Sequence, residues 1–426
     1  MSVLVELEAQ IDLVSKDIER QKQVLKTLES NRSLLQRQLN TLRDPIARLP
    51  LEISSQIFVQ CLPPGSPAVP DGHQVPMLLL NVCNAWTDIA LSTTDLWTKI
   101  HFTLPRNQAF GRLLAIWLGR ARTNLSHVSV KGPMHSGIAT QIFRHSSHLG
   151  HLELAAEDGQ GDDDDFIEFR DLLEGVLPES LPALHTFVIR SGRRTLQVAA
   201  SPILQILRLA PNLTELEFDA VETVGGTAND LVVLSSLRRL SLSMESQQYI
   251  GSQSKILGYI SAPQLATLCL HHDLRPSAED HRSILTFLER SSPPLHTLVS
   301  TNPGDCSCLD DILPLVPTLT DLRVQCPGPS GVDRVCTLLG QTQPTAVPNL
   351  RALLFTHVHN KAGAWDAVVQ ALSARRTQIK TLRMEFRSSV IPIPPNALTA
   401  LKEFSAEGMD IWIGIRPSGQ NRFLDL

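Results

Sequence analysis

One pattern decides what this chain can fold into. Leu-x-x-Leu-x-Leu, with conservative replacements, recurs from Leu125 to Met384. The copies are Leu125/Val128/Val130, Leu149/Leu152/Leu154, Leu184/Phe187/Ile189, Leu213/Leu216/Phe218, Leu237/Leu240/Leu242 and Leu265/Leu268/Leu270. They continue with Leu295/Leu298 (ending in Ser300), Leu319/Leu322/Val324, Leu350/Leu353/Phe355 and Ile379/Leu382/Met384. First positions lie 24, 35, 29, 24, 28, 30, 24, 31 and 29 residues apart. Period-two alternation inside each copy predicts a strand. A unit of this size cannot bury its apolar face alone and must stack on its neighbours.

Between the strands, helical patterns are predicted at Phe166–Leu177, Ile203–Leu209, Ile284–Arg290, Val332–Leu339 and Trp365–Arg375. Turn markers precede several strands: Ala210-Pro211-Asn212, Ser292-Pro293-Pro294, Pro344 and Val347-Pro348-Asn349. Strand plus helix at a period of about 28 residues resembles the α/β leucine-rich repeat. The repeat's asparagine after the third leucine position is mostly absent, so an irregular horseshoe-like solenoid over residues 105–426 is the expectation. A (β/α)₈ barrel shares the alternation, but ten strand copies exceed eight, and Ser300 and Arg323 suit an open face. The strictly alternating tail Gly408-Met409-Asp410-Ile411-Trp412-Ile413-Gly414-Ile415 predicts one last, capping strand.

In such strands the leucines point into the core and the residues between them line the concave side. Arg190, Glu215, Glu217, Asp219, Arg239, His271, Arg323 and Arg383 are the candidate substrate-binding positions. Their mixed charge suits a protein or peptide.

Ahead of the repeats, apolar residues recur at Leu4, Leu7, Ile11, Val14, Ile18, Leu25, Leu28, Leu35, Leu39 and Leu42, in steps of three and four. Gln21 and Arg32 fill the two remaining seam positions. This heptad pattern over residues 1–43 predicts a coiled-coil helix about 60 Å long. A homodimer through residues 4–42 is one reading; packing on another chain or on the protein's own body is the other.

Residues 44–104 read as a small all-α unit. Asp44-Pro45 and Leu49-Pro50 are two helix starts. Ile53, Ile57 and Phe58 follow on one face, and the stretch from Cys61 to Pro76, rich in proline, must be a loop. A further helix carries Leu78, Leu79, Val82, Cys83, Trp86, Ile89 and Ala90, and Leu96-Trp97 closes the unit. So few residues carry more apolar surface than they can hide, which implies a partner.

The order LP-x-EI-x-x-x-IF, then LL-x-VC-x-x-W-x-x-IA, then LW-x-x-I resembles the F-box. With a coiled coil in front and a proline-rich insert at residues 61–76, it is similar to the expanded F-box families of mushroom-forming fungi. The resemblance implies docking on the Skp adaptor of an SCF ubiquitin ligase, and through it on a cullin. Leu49, Pro50, Ile53, Ile57 and Phe58 would meet the adaptor, and Val82, Cys83 and Trp86 would complete that surface or its underlying core. The implied role is a non-catalytic substrate receptor. A ubiquitin-independent scaffold, using the stem and solenoid for assembly, is the competing reading.

The remaining features exclude classes of function. Net charge is −5, and the pairs Arg193-Arg194, Arg238-Arg239 and Arg375-Arg376 are isolated, so no nucleic-acid footprint is expected. Seven scattered cysteines read as reduced thiols of a cytoplasmic or nuclear protein. The acidic start MSVLVELEAQ does not resemble a signal peptide, and no long apolar run implies a membrane span. No phosphate loop, H-E-x-x-H or G-x-S-x-G occurs. Cys306/Cys308/Cys326/Cys336 lack paired knuckle spacing, and Asp162–Asp165 lacks the spacing of a calcium loop. The cluster His271-His272-Asp273 with Asp280-His281 reads as strand-end polarity. No metal or cofactor is expected.

Overall fold

The computed structural model describes residues 2–64, 67–104, 109–132, 134–156, 166–169, 176–191, 195–219, 221–224, 231–244, 253–272, 278–301, 306–325, 330–341, 346–358, 364–386 and 393–415. Asp162–Asp165, Arg193, Arg194, Asp273, Cys326 and Pro344 lie outside them. The chain forms two compact units: Met1–Phe102 with Ile116–Ser126, and Thr103–Ala115 with His127–Leu426. No helix among the described residues is long and apolar enough to cross a membrane.

In the first unit, one uninterrupted helix spans Ser2–Arg43. It holds no proline or glycine, and side-chain pairs at three- and four-residue spacing, such as Lys16–Asp12 and Arg20–Asp17, lie along its surface. Asp44 then reverses the chain. Its Oδ1 accepts the Ile46 amide at 2.9 Å, and the turn Ile46–Arg48 follows. Pro50 starts the helix Leu51–Gln60. The proline-rich stretch holds no helix among its described residues and places the Ala68 carbonyl 2.8 Å from the His101 amide. The helix expected over Leu78–Ala90 is two short ones, Met77–Leu80 and Asn84–Ser92. Thr87 Oγ1 bridges the break, 2.9 Å from the Leu80 carbonyl and 3.0 Å from that of Cys83.

The all-α expectation for residues 44–104 needs one correction. Lys99–Thr103 is a strand, because Lys-Ile-His-Phe-Thr alternates and buries Ile100 and Phe102 completely.

The second unit is built on the strands of one long sheet. After Ser126–Lys131 come Leu149–Ala155, Thr186–Arg190, Glu215–Asp219 and Arg239–Met244. Thr267–His272, Thr297–Thr301, Asp321–Gln325, Ala352–Val358, Thr381–Phe386 and Asp410–Ile415 complete it. From Leu149–Ala155 onward every adjacent pair is parallel. The sheet is open, which removes the barrel alternative.

Register turns the sequence repeat into continuous rows. Leu152, Phe187, Leu216, Leu240, Leu268, Leu298, Leu322, Leu353, Leu382 and Ile411 stand side by side. All except Ile411 are at most 1% exposed. Two residues on, Leu154, Ile189, Phe218, Leu242, Leu270, Ser300, Val324, Phe355, Met384 and Ile413 form a second row. Ser300 therefore faces the core, where it is buried, and not the open side that the sequence suggested. Leu125 is also misassigned as a core position: it lies before its strand, exposed, while Val128 and Val130 are buried.

Four of the five predicted helices are present, as Ala200–Leu209, Ala278–Ser291, Gly331–Gly340 and Ala364–Ala374. Each buries a stripe at helical spacing, such as Ile203, Leu204, Ile206 and Leu207. The fifth is corrected over its first four residues, and residues 170–175 of that prediction lie outside the described residues. Phe166–Phe169 is a strand pairing in parallel with Thr195–Ala199, which pairs in turn with Val221–Val224. Phe-Ile-Glu-Phe is rich in aromatic and β-branched residues, which favour a strand over a helix. Some repeats thus complete their second layer with small parallel sheets rather than helices.

The last helix, Pro395–Ala406, ends at Gly408 with φ +97°. The Gly408 amide donates to the Ser405 carbonyl at 3.0 Å and the Met409 amide to that of Phe404 at 3.1 Å, the paired bonds of a left-handed helix stop. The chain leaves this stop directly into the predicted final strand, Asp410–Ile415.

Candidate interaction surfaces

In the bundle, aromatic side chains set which residues face inward. Phe58 is 1% exposed and lies 5.1 Å from the Trp86 ring, tilted by 47°. The Trp86 indole N–H donates to Asp44 Oδ2 at 2.8 Å, and Cys83 Sγ lies 3.6 Å from the same oxygen. Trp97 donates to the Ala90 carbonyl at 2.9 Å and meets Trp117 edge-on at 4.9 Å. The Arg120 guanidinium covers Trp97 at 5.5 Å. Asn124 Nδ2 donates to Asp95 at 2.7 Å and to Thr94 at 3.1 Å. The Trp86 and Trp97 indoles are thus satisfied within the bundle, while the buried Trp117 indole N–H has no hydrogen-bond partner among the described residues.

That interior leaves aliphatic side chains outside it. Leu49, Leu51, Ile53, Ile57, Leu78 and Val82 are 38–51% exposed. Ile53 and Ile57 are one turn apart on the same helix, whose opposite side buries Ser54 and Phe58. Of the eight residues assigned to adaptor contact, Leu49, Pro50, Ile53, Ile57 and Val82 are exposed, and Cys83 and Trp86 are partly covered. Phe58 is interior, a correction: an aromatic one position beyond Ile57 falls on the helix's other flank. Leu51 and Leu78 were missed; their periodic spacing marked them as apolar but not as outward.

All eight sheet residues expected to bind substrate lie on the face opposite the leucines. Glu217, Arg323 and Arg383 share the central row with Glu153, Val188, Ser241, Cys269, Val299, Leu354 and Trp412. Glu215 and Arg239 stand in the row before, and Arg190, Asp219 and His271 in the row after. Arg190 bridges three strands, with Nη2 3.0 Å from Glu217 and Nε 3.4 Å from Glu153. Burial raises the Glu217 carboxyl above the ordinary carboxylate range, against the opposing pull of Arg190. Burial also raises the Cys269 thiol, although Arg239 and Arg323 favour its thiolate. Farther along, His271 Nδ1 lies 2.9 Å from Thr301 Oγ1, which donates to Gln325 at 2.9 Å. Trp412, 44% exposed, adds a large ring at the last strand.

Among the described residues of the ligand-like clusters seen in the sequence, no three place ligand atoms together; Asp162–Asp165, Asp273 and Cys326 lie outside the described residues. Cys306 and Cys336 are buried, with the Cys336 thiol pushed strongly up by burial. His281 pairs with Asp311 at 3.0 Å, apart from His271. A different trio comes together: His127, His151 and Glu153 place ligand atoms within 4.8 Å of one another. These are metal-binding residue types. However, the two imidazoles stack at 3.6 Å with planes 24° apart, so their lone pairs lie in near-parallel planes and do not converge. Glu153 is also shared with Arg190. Nothing in their spacing marks these three residues, because they meet only when neighbouring strands stack. No protein-family model matches the chain, and no curated protein matches it.

Proposed function

We propose that this chain is the non-catalytic substrate-recognition subunit of an SCF-type, cullin-linked ubiquitin ligase. The bundle docks on a Skp adaptor, and the sheet face opposite the leucines holds a protein substrate. The observation that carries this reading is the exposure of Leu49, Ile53, Ile57 and Val82 around a bundle whose aromatic interior is already complete. Apolar side chains that their own fold does not need mark a surface awaiting another protein. The sequence order around them resembles that of the F-box, which supports the identity of the partner. Phe58, Trp86 and Asp44 act by holding the helices in place rather than by contact.

Mixed charge along Glu153, Arg190, Glu217, Arg239 and Arg323 favours a polar protein segment as the substrate. Ubiquitin transfer itself belongs to other subunits in this reading. Co-purification with the Skp adaptor tests it, comparing wild type with the double variant Leu49→Ala/Pro50→Ala. Recovery of adaptor with wild type and its loss with the variant are expected; equal recovery removes the docking surface.

A further inference from the structure

We propose that the N-terminal helix joins two copies of this chain in a parallel, in-register, two-stranded coiled coil. The inference does not rest on the adaptor reading. Every described side chain from Gln10 to Gln36 is exposed. Within that span the heptad seam leaves Ile11 65%, Val14 55%, Ile18 48%, Leu25 56%, Leu28 59% and Leu35 64% in solvent. Asn84 Nδ2 of the bundle donates to the Ser33 carbonyl at 3.4 Å near the C-terminal end of the stem, a contact that covers none of these side chains.

A narrow apolar stripe about 40 Å long on an isolated helix is the seam that a second helix fills. Three features select a second copy in parallel. With Leu25 at position a and Leu28 at d, the β-branched Ile11 and Ile18 fall at a, where they favour two strands. Gln21 at d then faces Gln21 of the other copy, amide to amide, and Arg32 at a faces Arg32; these polar seam positions fix register at a cost in stability. Asp17 at g would fall opposite Lys22 at e of the other copy, where each adds a partner to the one it has on its own helix, Arg20 for Asp17 and Glu19 for Lys22, so the pair is complementary on both sides of the seam. An antiparallel pair opposes g to g and e to e and loses this match. One particle then carries two bundles and two repeat faces, so a substrate with two recognition segments gains avidity.

Light scattering on the full chain should give twice the 46.9 kDa chain mass. Leu25→Asp/Leu28→Asp, at exposed positions, should return it to one chain mass with an unchanged circular-dichroism melting profile of the repeat unit. Ile11→Cys should form a disulfide-linked dimer under mild oxidation in the parallel arrangement, whereas an antiparallel pair keeps the two positions apart. A wild-type mass of one chain overturns the proposal, as does a dimer that survives the double aspartate variant. A dimer that Ile11→Cys fails to cross-link overturns the parallel arrangement. Because adaptor binding is read separately on the bundle, its failure leaves these masses unchanged.

Discussion

Asp44 and Trp86, 42 residues apart in sequence, meet through one hydrogen bond of 2.8 Å from the indole N–H to carboxylate Oδ2. The acid's other oxygen holds the Ile46 amide. A single side chain thus fixes both the turn after the stem and the helix that supports Phe58. Asp44→Ala strands the indole donor and should destabilise the bundle by about 1–3 kcal/mol. Asp44→Asn, whose amide oxygen still accepts one bond, should cost less. Urea unfolding followed by tryptophan fluorescence measures both.

Phe58 and Ile53 separate structure from contact on one helix. Phe58→Ala opens a cavity in the aromatic interior and should cost about 3–5 kcal/mol. Ile53→Ala, at a side chain 51% exposed, should change stability by no more than about 0.5 kcal/mol. Both values come from the same urea titration.

In the repeat unit, Arg375 is 4% exposed. Its Nε donates to the Leu339 carbonyl at 2.7 Å, Nη1 to that of Val347 at 3.0 Å and Nη2 to that of Ala346 at 2.8 Å. The cation sits at the end of the helix Gly331–Gly340 and satisfies the loop that follows. Burial lowers its pKa without discharging it at neutral pH. Arg375→Met keeps the bulk but abandons three carbonyls, and should cost about 2–4 kcal/mol. Lysine should not rescue it, since one ammonium cannot follow the fork. Thermal unfolding of the two variants checks this.

The Glu217 carboxyl binds its proton more tightly in the folded chain than in the unfolded one, because burial disfavours the anion. Between the ordinary carboxylate range and the raised folded value, the folded state carries the extra proton. Stability contributed by this group is therefore present at the acid end and is lost as pH rises through that window. Arg190→Gln removes the cation that opposes the shift and should move the Glu217 midpoint further up. Carboxyl-resolved NMR titration reads the direction; a midpoint that falls in the variant contradicts the assignment.

The repeat body was legible because period-two leucines force residues onto rows as soon as strands stack. The rows from Leu152 to Ile411 follow from the spacing of the copies. Ser300 differs from its expectation because polarity alone suggests exposure, while its place in the copy puts it in the core. Phe166–Phe169 was misread because an apolar run between strands fits helix or strand equally, and the neighbour that decides, Thr195–Ala199, lies beyond the local window. In the bundle the Leu-Pro and tryptophan signals marked the right helices. They did not distinguish Phe58 from Ile57, since one helical step swaps inside for outside. Trp117 and Asn124 lie beyond the bundle's sequence signal and join it only through folding. The stack of His127 on His151 has no local signature at all.

Isothermal titration of the full chain with purified Skp adaptor, repeated at several temperatures, tests the central claim most directly. Saturable binding of one adaptor per chain is predicted, with the negative heat-capacity change of apolar burial, abolished by Ile53→Asp while the fold is retained. Absence of binding by the folded wild-type chain, or binding that Ile53→Asp leaves intact, contradicts the account.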